Sequence, residues 1–363
     1  MKYLLFLFSI SLLASCVDQP SGPTPPANNN LAEFRGSIAE HVADDFVLPA
    51  FEVLKERAIQ LHQQALLLDE EVSADNLTAL SAAHRQVWEQ WQRASLFQFG
   101  PSVSNGLRVG LNTYPTDPDK IEANIRSGNY QPGALTNQDA EGLPALDYLL
   151  RSHGDSQPLS NFSPEKIAYI QALTERILTL VTNAEDEWKN GVFIENFKST
   201  SATGTDVGSA MGLMVNAIDL HFQRFVRDGK IAIPGGIRSA GVTRPQSVEA
   251  LYGQYSTELL LISLHTYQDY FAGKGLNDNS GPMLLEYLEA LDQKVLADRI
   301  NSNFDKLIAN AELLNDPLSQ QIETDNEAII QVFLDMQDLV AIFKSDMASV
   351  MGISITNQDN DGD

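Results

Sequence analysis

The chain has 363 residues but only one cysteine, Cys16, so it can form no intramolecular disulfide and no cysteine-based metal site. After that cysteine there is no long hydrophobic run, so no membrane-spanning helix is expected in the remainder. Basic residues are scarce, since 24 lysines and arginines stand against 48 aspartates and glutamates, and the net charge is -24. A field of that sign repels nucleic acids and anionic headgroups, so binding to nucleic acid is not expected.

The N-terminus has the layout of a bacterial lipoprotein signal. Lys2 precedes an apolar run at residues 3–13 that is too short to span a bilayer, and small residues then lead directly to Cys16. This resembles a lipobox and predicts that residues 1–15 are removed, that Cys16 carries lipid, and that the protein is anchored to a membrane on its periplasmic side. Val17 rather than aspartate follows the cysteine, which favours the outer membrane. The alternative is an ordinary secretory signal with an unused cysteine.

Common catalytic signatures are also missing, because the sequence contains no HExxH, CxxC, GxSxG or P-loop motif. No serine has the context of a nucleophile, so the sequence identifies no catalytic residue. His41, Asp44 and Asp45 have the spacing that places three side chains on one helix face, where they could hold a divalent cation. A solvated helix face explains the same pattern.

Helical periodicity covers nearly the whole chain from residue 31, with apolar residues recurring at steps of three and four. Helices with such wide apolar stripes bury them against each other, so the sequence predicts an all-α fold made of helical bundles. We expect helices at about 31–68, 77–97, 117–127, 138–151, 164–190, 204–228, 247–272, 281–313 and 318–350. Pro49 should kink or split the first of them.

The length suits two domains of ordinary size. The predicted organisation is a flexible tether at 16–30, an N-terminal bundle at 31–160, a C-terminal bundle at 161–353 and an acidic tail at 354–363. The tether is rich in proline and asparagine, and it has no residues that could pack into a core.

The segment Gly142–Leu150 reads GLPALDYLL and places one carboxylate in an apolar helical run. Gly142 and Pro144 would open a helix, with the proline in the first turn, where its missing N–H is harmless. Asp147 could then interact favourably with the helix dipole near the N-terminus, or it could be a functional residue in a cleft. On the helix predicted at 77–97, Trp88 and Trp91 have helical spacing, which indicates a core. Arg85, which precedes them, is the residue of this helix that we consider most suited to a functional role.

GLPALDYLL, the lipobox and the helical chain together resemble the imelysin-like family of bacterial envelope proteins. The resemblance covers most of the mature chain through VLPAF at 47–51, RQVWEQW at 85–91, FQFGP at 97–101, LNTYP at 111–115, TGTDVG at 203–208 and VRDGKIAIP at 226–234. It implies two helical bundles packed against each other with a cleft between them, and a link to iron-regulated uptake. It also implies a metallopeptidase label, because the family signature is G-x-H-x-x-E.

This chain departs from that signature, since Pro144 stands at the histidine position and Asp147 at the glutamate position. Proline cannot bind a metal, and a zinc protease needs about three protein ligands. The resemblance therefore predicts an altered cleft, with Asp147 and Arg85 as a polar pair and with Asp147 and His84 as the candidate metal ligands. The residues predicted for the cleft are Gly142, Pro144, Asp147, Arg85 and Trp88.

Three functions remain open. The first is a lipid-anchored binding component of iron or metal uptake, with iron or another divalent metal as ligand and other uptake components as partners. The second is a metallopeptidase with replacement ligands at Asp147 and at His84 or His41. The third is a scaffold in an envelope complex, where the acidic surface would dock basic partners.

Overall fold

The protein is described here by a computed structural model. It covers residues 28–154, 158–199, 202–277 and 279–356. Helices dominate these ranges and the only strand-like pairing within them is an isolated bridge between Lys274 and Ser280, so the predicted all-α fold is confirmed. The lipobox with Cys16, nearly all of the tether and most of the acidic tail lie outside the described residues. None of the described helices has the length and apolarity needed to cross a membrane.

The described α-helices are α1 (Asn28–His41), α2 (Leu48–Leu66), α3 (Ala74–Ala94), α4 (Pro101–Ser104), α5 (Leu107–Leu111), α6 (Pro118–Ser127), α7 (Gly142–Arg151), α8 (Pro164–Asn190), α9 (Val192–Phe197), α10 (Ala210–His221), α11 (Ser256–Ala272), α12 (Leu284–Ala290), α13 (Lys294–Ala311), α14 (Leu318–Thr324), α15 (Asn326–Ala341) and α16 (Ala348–Met351). Wider π-helical segments occur at Val42–Val47, Phe222–Ala232 and Ile342–Met347. Short 3-10 turns lie at Leu67–Asp69, Leu135–Ala140, Leu159–Asn161, Ile237–Ser239 and Pro245–Ser247.

Side-chain caps explain where several helices begin. Ser73 accepts a hydrogen bond from a backbone N–H in the first turn of α3, and Asp117 and Ser163 do the same for α6 and α8. Pro118 and Pro164 follow the last two caps, at a position where their fixed φ suits a helix and their missing N–H costs nothing. The helix predicted at 164–190 is observed with those bounds.

Other predicted helices are interrupted. At the position where Pro49 was expected to kink or split the first helix, the backbone stays helical but changes to the π-helical segment Val42–Val47 between α1 and α2. The helix predicted at 281–313 is divided between α12 and α13, where Asp292 adopts a left-handed conformation. The helix predicted from residue 247 begins only at Ser256.

The helices that precede Gly191 are called the N-terminal group and those that follow it the C-terminal group, and their division into two separate bundles stays a prediction. In the N-terminal group α2 lies against α3 and α8, and α7 packs on both α3 and α8. In the C-terminal group α13 packs on α11 and α15, and the segment Phe222–Ala232 packs on α15. Contact between α3 and α11 joins the groups, and one apolar core runs through both. The boundary near residue 160 stays a prediction, although α8 begins just after it and packs on α2.

Candidate functional site

Asp147 lies in the second turn of α7 and its side chain is only 1% exposed. Its Oδ2 accepts hydrogen bonds from the backbone N–H groups of Tyr252 (2.9 Å) and Gly253 (3.0 Å), and its Oδ1 accepts one from Arg151 Nη1 (3.1 Å). Burial raises the pKa of Asp147, and Arg151 and the two N–H groups offset part of that rise. The carboxylate therefore fastens the loop at 248–255 to α7.

His84 is buried beside Asp147 and both of its ring nitrogens are engaged. Its Nε2 lies 2.9 Å from the carbonyl oxygen of Leu143, and its Nδ1 lies 2.9 Å from Arg151 Nη1. Because the guanidinium can only donate, His84 accepts at Nδ1 and donates from Nε2. Burial, with the charge of Arg151, holds the pKa of His84 well below its usual value, so the imidazole is neutral.

These contacts do not suit a metal ion at the two candidate ligands. One nitrogen of Arg151 donates to both Asp147 and His84, so a fixed cation already lies between them. Within the ranges that the structure describes, no three or more His, Cys, Asp and Glu side chains form a group that could hold a metal. The metal site at Asp147 and His84 stays a prediction that this geometry does not favour.

Arg85 does not form the predicted pair with Asp147. Its Nε lies 2.7 Å from Glu89 Oε1, it also forms an ion pair with Glu258, and its guanidinium lies over the ring of Tyr255. The partner of Asp147 is Arg151, four residues further along the same helix. That i, i+4 spacing was visible in the sequence and was the signal that could have found the pair.

The histidine and aspartates near the end of α1 are held by protein partners as well. His41 Nδ1 lies 2.7 Å from Asp45 Oδ2, and its Nε2 lies 3.0 Å from the carbonyl oxygen of Gly273. Asp44 forms an ion pair with Lys198 at 2.8 Å. The cluster therefore joins α1 to the turn after α11, and its side chains are occupied in doing so.

Trp88 belongs to a buried polar network centred on Glu249. The Trp88 Nε1–H group lies 3.1 Å from Glu249 Oε1, which also accepts hydrogen bonds from Gln92 Nε2 (3.1 Å) and Asn112 Nδ2 (2.7 Å). Lys230 pairs with the other carboxylate oxygen and donates to Gln92 Oε1 at 2.8 Å. Burial lowers the pKa of Lys230, and Glu249 counteracts part of that effect. The network links α3, the Phe222–Ala232 segment and the 248–255 loop.

Sequence reasoning missed Glu249 and Lys230. Each is a charged residue in an otherwise apolar stretch, SVEAL and KIAIP, and this isolation was the available signal. A charge in such a position is buried only where partners are supplied, and here the partners come from distant parts of the chain.

A cavity of about 440 Å³ opens next to this network, and we call it the seam cavity. Its walls come from α3, α5, the LNTYP stretch, the end of α10 with Phe222–Ala232, and the start of the 248–255 loop. Its charged lining residues are Arg108, Arg224, Lys230 and Glu249. Arg108 lies over the ring of Phe225, with 3.6 Å from the guanidinium carbon to the ring centroid.

Two further seam-cavity residues are neutral. His221 Nδ1 lies 2.7 Å from the hydroxyl of Tyr267, and burial, together with Lys230 and Arg108, lowers the pKa of His221 to about 3. Burial and Glu249 raise the pKa of Tyr114 well above its usual value, so its phenol keeps its proton and can donate it in a hydrogen bond.

A second cavity of about 290 Å³ adjoins the first, and Tyr114 and Pro115 line both. Pro144 and Asp147 border it, together with Trp88. The structure therefore brings these predicted cleft residues to one place, while Arg85 is not among its lining residues. Pro144 lies in the first turn of α7 as predicted, and Gly142 opens the helix with φ of 73°.

Comparisons with known proteins agree with this architecture. The imelysin family model, which is also described as peptidase M75, matches residues 47–342. Iron-regulated protein A of Synechococcus elongatus is 25% identical over 139 residues, which are 38% of this chain and 37% of that protein. The match therefore spans little more than a third of this curated relative.

Two solved structures have the same fold. An imelysin-like protein from Psychrobacter arcticum 273-4 superposes with a TM-score of 0.70 at 20% identity, over 90% of this chain and 98% of the other. A putative iron-regulated protein A precursor from Parabacteroides distasonis ATCC 8503 superposes with a TM-score of 0.73 at 17% identity, over 92% and 96% of the two chains.

Proposed function

Because this chain belongs to the imelysin family, we propose that it is a binding component of an iron-acquisition system rather than a peptidase. In this proposal lipid on Cys16 holds the protein at the periplasmic side of the outer membrane, and the ligand occupies the seam cavity. Two of the similar proteins carry the name iron-regulated protein A, which is what suggests iron.

The observation that carries the proposal is the seam cavity itself. Its volume of about 440 Å³ lies in the range of small-molecule sites, and it combines aromatic walls with a few convergent polar groups. Both groups of helices contribute to its lining, as is common for ligand sites between packed units. The cavity is therefore the described feature best suited to hold a ligand.

The residues at the peptidase motif support binding rather than cleavage. Pro144 has no ligating atom, and Asp147 uses both carboxylate oxygens to hold Arg151 and the 248–255 loop. A metallopeptidase needs ligands that leave one metal position open for water. The geometry around Asp147 provides structural hydrogen bonds in place of such a site.

The test is calorimetry of the purified full-length protein with iron(III) citrate and with iron(II) chloride, and elemental analysis of the loaded protein. We expect one iron per chain. Val109→Trp should fill the seam cavity and abolish binding, whereas Val103→Trp, at a position 59% exposed on the neighbouring α4, should not. Equal binding by the two variants would overturn the cavity as the site, and binding of no iron species would overturn the iron function.

The anchor is tested separately by Cys16→Ser in cells. We expect the unchanged protein to sediment with membranes and the variant to be released with the soluble fraction, because the lipidated residue has been removed. Equal membrane association of both proteins would contradict lipid attachment at Cys16.

A further inference from the structure

The seam cavity has the opposite charge to the protein around it. The chain carries a net charge of -24, yet three cationic side chains and one carboxylate line the cavity. The carboxylate of Glu249 is paired with Lys230 and accepts three further hydrogen bonds, so that pair contributes little net charge. The excess positive charge therefore comes from Arg108 and Arg224.

These two arginines differ from most other cations of the fold. Within the described ranges, the side chains of Arg108 and of the more exposed Arg224 form no hydrogen bond or ion pair with another residue. Arg108 is partly buried, and the loss of water lowers its pKa because the charged form is disfavoured there. Its stacking on Phe225 holds the guanidinium in place without using its N–H groups. Its five donors therefore remain available to an acceptor in the cavity.

Neutral side chains also supply hydrogen-bond donors to the cavity. The phenol of Tyr114 lines the cavity and keeps its proton because its pKa is raised. Since both carboxylate oxygens of Glu249 are already occupied, the cavity offers cationic and neutral donors but no free carboxylate. A bare metal cation would meet two guanidinium groups and no free carboxylate, which is the reverse of what it needs.

We propose that the seam cavity binds an anion carrying several carboxylate groups, which reaches it as an iron(III) polycarboxylate chelate. The inference rests on the proposed function for the presence of iron, but the anionic class follows from the lining residues alone. Planar guanidinium groups form paired hydrogen bonds with carboxylates, so Arg108 and Arg224 would each hold one carboxylate of the ligand. Phe225 and Trp91 would provide apolar walls around it.

Calorimetry with citrate, iron(III) citrate and iron(II) chloride tests the proposal, using the full-length protein and three single variants. Arg108→Gln and Arg224→Gln should each weaken binding of iron(III) citrate about tenfold or more. Arg126→Gln, which removes an exposed arginine near the end of α6 outside both cavities, should leave it unchanged. Raising the salt concentration should weaken binding to the unchanged protein more than to Arg224→Gln. Thermal unfolding checks that all variants fold.

The outcomes separate this inference from the proposed function. Arginine-dependent binding of citrate with and without iron at equal affinity supports the anionic class and overturns the iron function. Stoichiometric binding of iron(II) chloride without binding of either citrate form overturns the anionic class and leaves an iron-binding protein. Binding of iron(III) citrate that is equally strong in Arg108→Gln, Arg224→Gln and Arg126→Gln also overturns the proposal.

Discussion

At the scale of single residues, Asp147 was predicted to stand at a family motif position, and in the structure it joins α7 to the 248–255 loop. Both of its oxygens accept hydrogen bonds, two from the 248–255 loop and one from Arg151. Arg151 also donates a hydrogen bond to His84, so Asp147, Arg151 and His84 form one connected polar group. Removal of Asp147 leaves two N–H groups of the loop without this acceptor and Arg151 without its carboxylate partner, which costs more than the lost bonds themselves.

We predict that Asp147→Ala lowers the free energy of unfolding by about 3 kcal/mol or more, because Arg151 and two N–H groups lose their acceptor in a buried site. Asp147→Asn should cost less, because its amide oxygen can still accept from the loop. Urea unfolding measures both variants. Asp305→Ala, at an exposed position of α13, is the control and should change stability by less than about 1 kcal/mol. A stable Asp147→Ala variant that no longer binds its ligand would instead make Asp147 a ligand-binding residue.

Gly142→Ala should be more destabilising than a glycine substitution of the same kind elsewhere. Gly142 has φ of 73°, and a Cβ there would lie 2.4 Å from the carbonyl oxygen of Leu111. Gly154 has a similar φ of 77° but no atom within 4 Å of its Cβ position, so Gly154→Ala measures the conformational cost alone, about 1 kcal/mol. We expect Gly142→Ala to exceed it by about 1–3 kcal/mol in thermal or urea unfolding. Equal costs would show that the backbone at Leu111 moves aside freely.

At the scale of elements, the segment Phe222–Ala232 shapes the seam cavity. Its π-helical turns contain more residues than α-helical turns, which changes the direction in which successive side chains point. Arg224, Phe225 and Lys230 all line the cavity from this segment. The 248–255 loop faces it, and Ala250 and Gln254 hold left-handed conformations there, so two irregular elements form much of the site.

The pair of Lys230 and Glu249 should couple these elements strongly. Lys230→Met and Glu249→Gln are each expected to lower stability by about 3–5 kcal/mol, because each leaves a buried charge without its partner. The double variant should lose less than the sum, with a coupling free energy above about 1 kcal/mol in urea unfolding.

The exposed pair Lys294–Glu289 is the control for this cycle. Its side chains are 66% and 47% exposed and therefore well screened by water, so the same cycle there should give a much smaller coupling free energy. Additive effects at Lys230 and Glu249 would show that the network, and not the ion pair, holds the elements together.

At the scale of the whole molecule, charge is distributed unevenly. The surface is strongly acidic, whereas the seam cavity and the Asp147 site concentrate arginine and lysine between the two groups of helices. Two neutral histidines, His84 and His221, are buried in the same region. Protonation of these side chains would add positive charge to sites that already contain cations, so the stability of the fold should depend on pH.

Stability should therefore fall as the pH drops below about 6.5. The unfolded chain protonates His221 near pH 6.5, while the folded chain does so only near pH 3, so acid favours the unfolded state between these values. The loss from this group between pH 7 and pH 5 is roughly 2 kcal/mol. His221→Gln should flatten the pH dependence of urea unfolding by that amount. His265→Gln, an exposed histidine on α11, should not change the slope, and an equal slope in both variants would contradict a neutral His221.

Local signals in the sequence predicted those elements that local interactions specify. The bounds of α8 were predicted because Ser163 and Pro164 act within one helical turn. The start of α11 was placed too early, because residues 248–255 are held out of the helix by Asp147 and Glu249 contacts from far along the chain. The i, i+4 spacing could have predicted the pair of Asp147 and Arg151. No local spacing predicts the partners of Glu249, because they lie far away in the sequence.

The sequence by itself determined the all-α fold and the family, and it predicted that Pro144 replaces the signature histidine, because periodicity, caps and residue identity need no knowledge of distant neighbours. The tertiary structure decided what the remaining polar residues do. It paired Asp147 with the 248–255 loop, buried Lys230 against Glu249, and left Arg108 and Arg224 facing a cavity. The physical reason is that these buried charges also need partners more than a hundred positions away, such as the Tyr252 N–H for Asp147 and Gln92 for Lys230, and only the packed helices bring those partners close.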